Sequence, residues 1–175
     1  MILRSLIIDI AFISAWLLTF YININLPKIL AVNEFIALIF LPAGIKFICA
    51  YLLEARSIPV IFIGCMITNF LFNNNPIIFD VIISLTCSTP MYATIYIVRK
   101  YIDNIRRLDT IILITFLYSL LSSILHNIIF YLNSINVEST GLLTMFIGDL
   151  LGVLTIIYLY QNISYIIMKM MAAKE

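Results

Sequence analysis

An all-α bundle crossing a membrane about six times is the fold class this sequence predicts, and three observations predict it. Hydrophobic residues make up 63% of the 175-residue chain and charged residues 11%, where soluble domains carry about 25% charged residues. A water-facing surface cannot be built from so few polar side chains, so the excess apolar surface is meant for lipid. The apolar residues are gathered into runs of spanning length, about 17–25 residues each. The basic residues then segregate to one side of those runs.

The runs are 5–24, 35–53, 58–75, 77–98, 110–132 and 142–160. Polar punctuation separates them: Asn25-Leu-Pro27, Glu54-Ala-Arg-Ser57, Asn73-Asn-Asn-Pro76, Arg99–Asp109 and Asn133–Thr140. Backbone groups in lipid must be satisfied within their own segment, so each run is read as a helix. The first run follows Met1-Ile-Leu-Arg and ends without a small-x-small cleavage site, so it is read as a retained first helix. The third run is short and its turn into the fourth is tight, which predicts a close antiparallel hairpin. With six helices, one side holds only Lys28, while the other holds Arg4, Arg56, Arg99, Lys100, Arg106, Arg107, Lys169 and Lys174. That bias places both termini in the cytoplasm of a multi-pass protein of the inner (plasma) membrane. Residues 1–160 form the transmembrane domain. Residues 161–175 form a short cytoplasmic amphipathic tail, which extends the last helix or lies along the interface, and no output domain follows it.

Charge inside these runs is the informative part, because a charge at membrane depth costs at least about 2.5–3.5 kcal/mol on insertion scales. Lys46 lies near the middle of the second run and Asp149 in the outer half of the sixth. Their depths differ by about 6 Å at 1.5 Å per residue, within reach of a lysine side chain. They are read as a shared site in an outward cavity, against the alternative of a salt bridge that only staples two helices. Asn69, His126 and Asn127 join the candidate ligand or partner site, with helix-packing hydrogen bonds as the competing reading. Asp80 is placed near the interface and hydrated, and Asp9 is left between local packing and contact with a partner helix. Trp16 is placed away from any outer cavity. Pro42 and Gly44 predict a kink beside Lys46. Gly148-x-x-x-Gly152 and Ala11-x-x-x-Ala15 offer small faces for close helix contact, within the chain or with a partner.

Several function classes are excluded by what the residues lack. A net charge of +1 gives no basic face for nucleic acid. Cys49, Cys65 and Cys87 lie in apolar runs without metal-ligand spacing and are read as small hydrophobes, against the alternative of a disulfide or metal site. There is no metalloprotease helix, serine elbow or phosphate loop. The reading is no enzyme, no cofactor and no metal, with membrane lipid and another membrane or cytoplasmic protein as the expected partners.

Three motifs in order, Leu41-Pro-Ala-Gly-Ile45, Pro59-x-x-Phe-Ile-Gly64 with Asn69-Phe-Leu71, and Gly148-Asp-Leu-Leu-Gly152, resemble the MASE1 family of bacterial integral membrane sensor domains. The resemblance covers about residues 35–160. It implies a sensory membrane subunit, with Pro42, Gly44, Gly64, Asn69, Gly148, Asp149 and Gly152 at the family's motif positions. Members of that family carry more spans and feed a cytoplasmic cyclase, phosphodiesterase or kinase. This chain has fewer helices and no such domain, so its signal would leave through a partner. The substrate-binding subunit of an energy-coupling-factor vitamin transporter is similar in size, helix number and sidedness, and a purely structural subunit of a larger complex is the third reading. The short, unaromatic outer loops argue against a vitamin lid.

Overall fold

The six apolar runs become six α-helices in the computed structural model, which describes residues 2–26, 38–72, 75–102, 104, 107–133 and 141–172, with backbone alone at 2 and 163–172. They are α1 (Ile2–Ile24), α2 (Leu41–Leu53), α3 (Ser57–Phe72), α4 (Ile77–Tyr101), α5 (Leu108–Leu132) and α6 (Gly141–Ala172), with a 3-10 turn at Glu54–Arg56. Five stretches are long and apolar enough to cross a membrane: Leu3–Ile24, Leu41–Phe72, Ile77–Tyr101, Leu108–Leu132 and Gly141–Asn162. The residues around Lys28, Asn73 and 134–140, and the start of the second run at 35–37, lie outside the described residues.

The packing is that of a protein whose solvent is apolar. Leu3, Ile7, Leu18, Phe70, Ile77, Ile97, Ile128 and Leu143 point outward, while Thr68, Ser84, Ser88, Thr115, Ser119, Ser122 and Ser123 are buried between helices. Small hydroxyl residues let helices approach, and back-bonds such as Thr115 Oγ1 to the Ile111 carbonyl at 2.8 Å and Ser123 Oγ to the Leu120 carbonyl at 3.1 Å satisfy several of these hydroxyls.

The second run departs from its expected form. Its helix begins at Leu41, so Pro42 sits in the first turn, where a missing N–H leaves no hydrogen bond unmade. Pro42 therefore starts this helix instead of kinking it. Neighbouring helices satisfy the exposed N-terminal donors: Leu41 N–H donates to Asn23 Oδ1 at 3.1 Å and Phe40 N–H to the Gly148 carbonyl at 2.9 Å. Helix α2 is 13 residues long, about 20 Å at 1.5 Å per residue.

Its other end is a reversal. Leu41 lies by Asn23 and Phe72 by Phe20, whereas Arg56 bonds Ser5 and Asp9 near the opposite end of α1. So α2 and α3 form a hairpin turned at Glu54–Arg56. Glu54 holds φ at 53°, a region that disfavours a side chain, at a cost of order 1–3 kcal/mol. Its carboxylate accepts from Arg99 at 2.6 Å, but Glu54 is 65% exposed, so that pair is worth no more than about 1 kcal/mol. Strain outweighs the pair. Glu54→Gly is therefore expected to leave thermal stability unchanged or raised by up to about 1 kcal/mol; a marked drop in melting temperature would show the ion pair to dominate.

Asp9, left open by the sequence, is paired with Arg56 at 2.7 Å. Helices α3 and α4 form the expected antiparallel hairpin, with Asn69 Nδ2 donating to Ser84 Oγ at 3.3 Å. Helix α6 runs unbroken through 160 to Ala172, so the tail up to there extends it.

Candidate functional site

Helices α2 and α6 run side by side, and the glycines explain how closely. A Cβ on Gly152 would strike the Phe40 carbonyl oxygen, and one on Gly44 would strike the Ile156 side chain and lie 2.9 Å from the Gly152 oxygen. The Gly148-x-x-x-Gly152 face thus packs against the chain's own second helix. Gly64 does a related job on α3, where the Trp16 ring lies 3.0 Å from the place a Cβ would occupy. Ala11 is exposed and Ala15 half-buried on α1.

Beside this crossing lies a cavity of about 80 Å3 to which all six helices contribute. Lys46, Asn69, His126 and Asp149 line it together, with Trp16, Phe20, Phe40, Cys65, Cys87 and Ser122 among the other walls. Four of the five candidate polar residues thus share one site. The fifth does not: Asn127 lies outside the lining, and its amide donates to the Ser123 carbonyl at 2.8 Å and to Met145 Sδ at 3.6 Å. Its role is packing α5 on α6. Asp80 is corrected as well, since it is 8% exposed rather than hydrated at the interface. It is packed where Asn69 crosses to α4, and the Asn69 amide reaches its carbonyl at 3.5 Å.

Lys46 is 1% exposed and Asp149 6%, yet they do not form an ion pair within 4.0 Å. The described ion pairs are Arg56–Asp9, Arg99–Glu54 and Arg107–Asp109. What holds the ammonium is different. Lys46 Nζ donates to Tyr118 Oη at 3.0 Å and lies 5.5 Å from the Trp16 ring, 5.4 Å from Phe40 and 5.6 Å from Tyr118. Ring faces within about 6 Å attract a cation, by up to about 2 kcal/mol each where water is excluded. Across the cavity, Asp149 shares the lining with the Ser122 hydroxyl. The two charges face one another through the cavity instead of neutralising by contact.

His126 is fixed by a 2.8 Å contact from Nδ1 to the Ser122 carbonyl. A carbonyl only accepts, so Nδ1 carries the hydrogen and Nε2 of the neutral ring is left as an acceptor. Trp16 Nε1 and Ser119 Oγ are buried without a hydrogen-bond partner. The cavity thus sets the unpartnered Trp16 N–H beside the acceptors of Asp149 and His126, and a small molecule that both accepts and donates suits it. A volume of about 80 Å3 compares with the 150 Å3 that holds benzene, so it admits a few water-sized atoms in the observed conformation.

Sequence reasoning missed three wall residues, Trp16, Cys65 and Cys87, and the Tyr118 partner of Lys46. Trp16 was placed away from the cavity by counting depth along α1, but Gly64 lets its ring lie flat against α3 and reach inward. Tyr118 carried no signal beyond being a polar aromatic in an apolar run. Cys65 and Cys87 were absorbed as hydrophobes, although both line the site. No family model, no curated protein and no solved structure matches the chain.

Proposed function

We propose that this chain is a MASE1-like sensory or accessory subunit of the inner (plasma) membrane, with six spans and both termini in the cytoplasm, relaying the state of its charged cavity to a partner protein. The observation that carries this reading is the convergence of Lys46, Asn69, His126 and Asp149 on one cavity beside the α2–α6 crossing. An occupant or a proton that binds between two uncontacted charges changes the force between them. Helix α2 is short, ends at the strained Glu54 and rests on α6 by glycine contacts. It is the element such a change would move, and differential binding to two packings would set the shift.

The six-span reading draws on the reversal at Glu54–Arg56, which gathers Arg56 and Arg99 at the end of the bundle where α1 begins. In a chain lacking Cys49, Cys65 and Cys87, a cysteine replacing Asn104 should label only from the cytoplasm and one replacing Asn136 only from outside. Labelling of both from one face would contradict six spans.

The relay itself is tested by mild-detergent purification from the native cell followed by mass spectrometry. A kinase or cyclase enriched with the chain, and lost with Lys46→Leu, is the expected result. A monomer or homo-oligomer alone would contradict it. An ATPase module would favour the transporter reading, for which the three rings around Lys46 supply aromatic walls that the outer loops do not.

A further inference from the structure

Two of the three cysteines face each other inside the cavity. Helices α3 and α4 are antiparallel, and Asn69 bonds Ser84 across them. One turn further along each helix, in opposite directions along the chain, stand Cys65 and Cys87. Both belong to the same buried packing group and both line the cavity. His126 lines the same cavity from α5 and Lys46 from α2. His126 Nε2 is an acceptor on the same cavity to which a thiol proton can pass, and the thiolate is the form of cysteine that acts as nucleophile. The third cysteine, Cys49, is buried outside the cavity lining.

We propose that Cys65 and Cys87 form a peroxide-reactive dithiol, closing to a reversible disulfide between α3 and α4 when a hydroperoxide of hydrogen-peroxide size enters the cavity. The cavity's small volume and its unpartnered Trp16 donor fit a two-oxygen acceptor. The chemistry balances without another reactant. Cys87 sulfur attacks one peroxide oxygen, the O–O bond breaks, and the thiol proton passes by way of His126 to the departing oxygen, which leaves as water. The resulting sulfenic acid is attacked at sulfur by Cys65; the S–S bond forms, the S–O bond breaks, and the second thiol proton leaves in a second water. Two thiols are oxidised and one peroxide is reduced. This couple does not depend on the relay to a partner.

The test uses the full chain in lipid nanodiscs, treated with hydrogen peroxide, quenched, denatured and alkylated with a maleimide. Of the three free thiols, two should be lost and should return on reduction with dithiothreitol, and peptide mapping should find Cys65 joined to Cys87 within one chain. Cys65→Ser should leave a sulfenic acid at Cys87 that dimedone traps, and Cys87→Ser should leave Cys65 unoxidised at the same dose. Survival of all three thiols at a dose that oxidises a free dithiol would overturn the proposal. So would equal loss of Cys49, or thiol loss unchanged by Cys87→Ser. Should a serine variant fail to fold, the peptide map of the unmodified chain decides alone.

Discussion

Gly152→Ala is expected to push α2 off α6 and to destabilise the protein by roughly 1–3 kcal/mol, the range for overpacking a filled interior. The added carbon would fall on the Phe40 carbonyl oxygen, and this atom cannot turn away. Phe40 is held by its N–H to the Gly148 carbonyl at 2.9 Å, and its oxygen accepts from Ala43 N–H at 3.0 Å. Relief requires moving backbone. Gly44→Ala meets the Ile156 Cβ, which no rotamer change moves, and the Gly152 oxygen at 2.9 Å, whereas Gly64→Ala meets the Trp16 side chain at 3.0 Å and needs the smallest shift of the three. Thermal melts in detergent should therefore rank the losses Gly152, then Gly44, then Gly64. A Gly152→Ala protein melting like the unmodified chain would mean that the helices are not in this contact.

Lys46→Leu is the second large effect. It removes the cation facing Asp149 and leaves that carboxylate 6% exposed in an interior with no opposite charge in the cavity. Leaving a buried charge without the charge that compensates it across the cavity costs up to several kcal/mol, because the remaining group stays desolvated. Tyr118 also loses its 3.0 Å partner. Asp149→Asn should cost less, because the amide stays polar in the lining it shares with Ser122 and the ammonium keeps three rings and Tyr118. Equal losses for the two single changes, measured by the same melts, would argue that the aromatic cage contributes little.

Much of this arrangement was legible because lipid imposes simple rules. Run length and punctuation located the helices among the described residues, apart from the start of α2, since a segment in lipid must close its own hydrogen bonds. Charge in an apolar run singled out Lys46 and Asp149, since such residues survive only with compensation. The Gly148 and Gly152 spacing marked a close contact, although a spacing alone does not name the facing helix. What the sequence did not carry was rotation. Asn127 is adjacent to His126, yet a step of one residue turns a helical side chain by about 100°, enough to move it from the cavity to the α5–α6 seam. Trp16 was missed because depth counted along α1 does not show how near Gly64 lets its ring come to α3. The start of α2 at Leu41 was hidden because proline ends one helix as readily as it begins another, and only its partners Asn23 and Gly148 decide between them.

The central claim is that Lys46 and Asp149 act on one another through a common cavity. A double-mutant cycle of Lys46→Leu and Asp149→Asn, measured by unfolding in detergent, tests it most directly. Residues that share a site show coupling of about 0.5–3 kcal/mol, and the double variant is expected to regain stability relative to Lys46→Leu alone. Strictly additive losses, with the double variant less stable than either single one, would contradict the shared cavity.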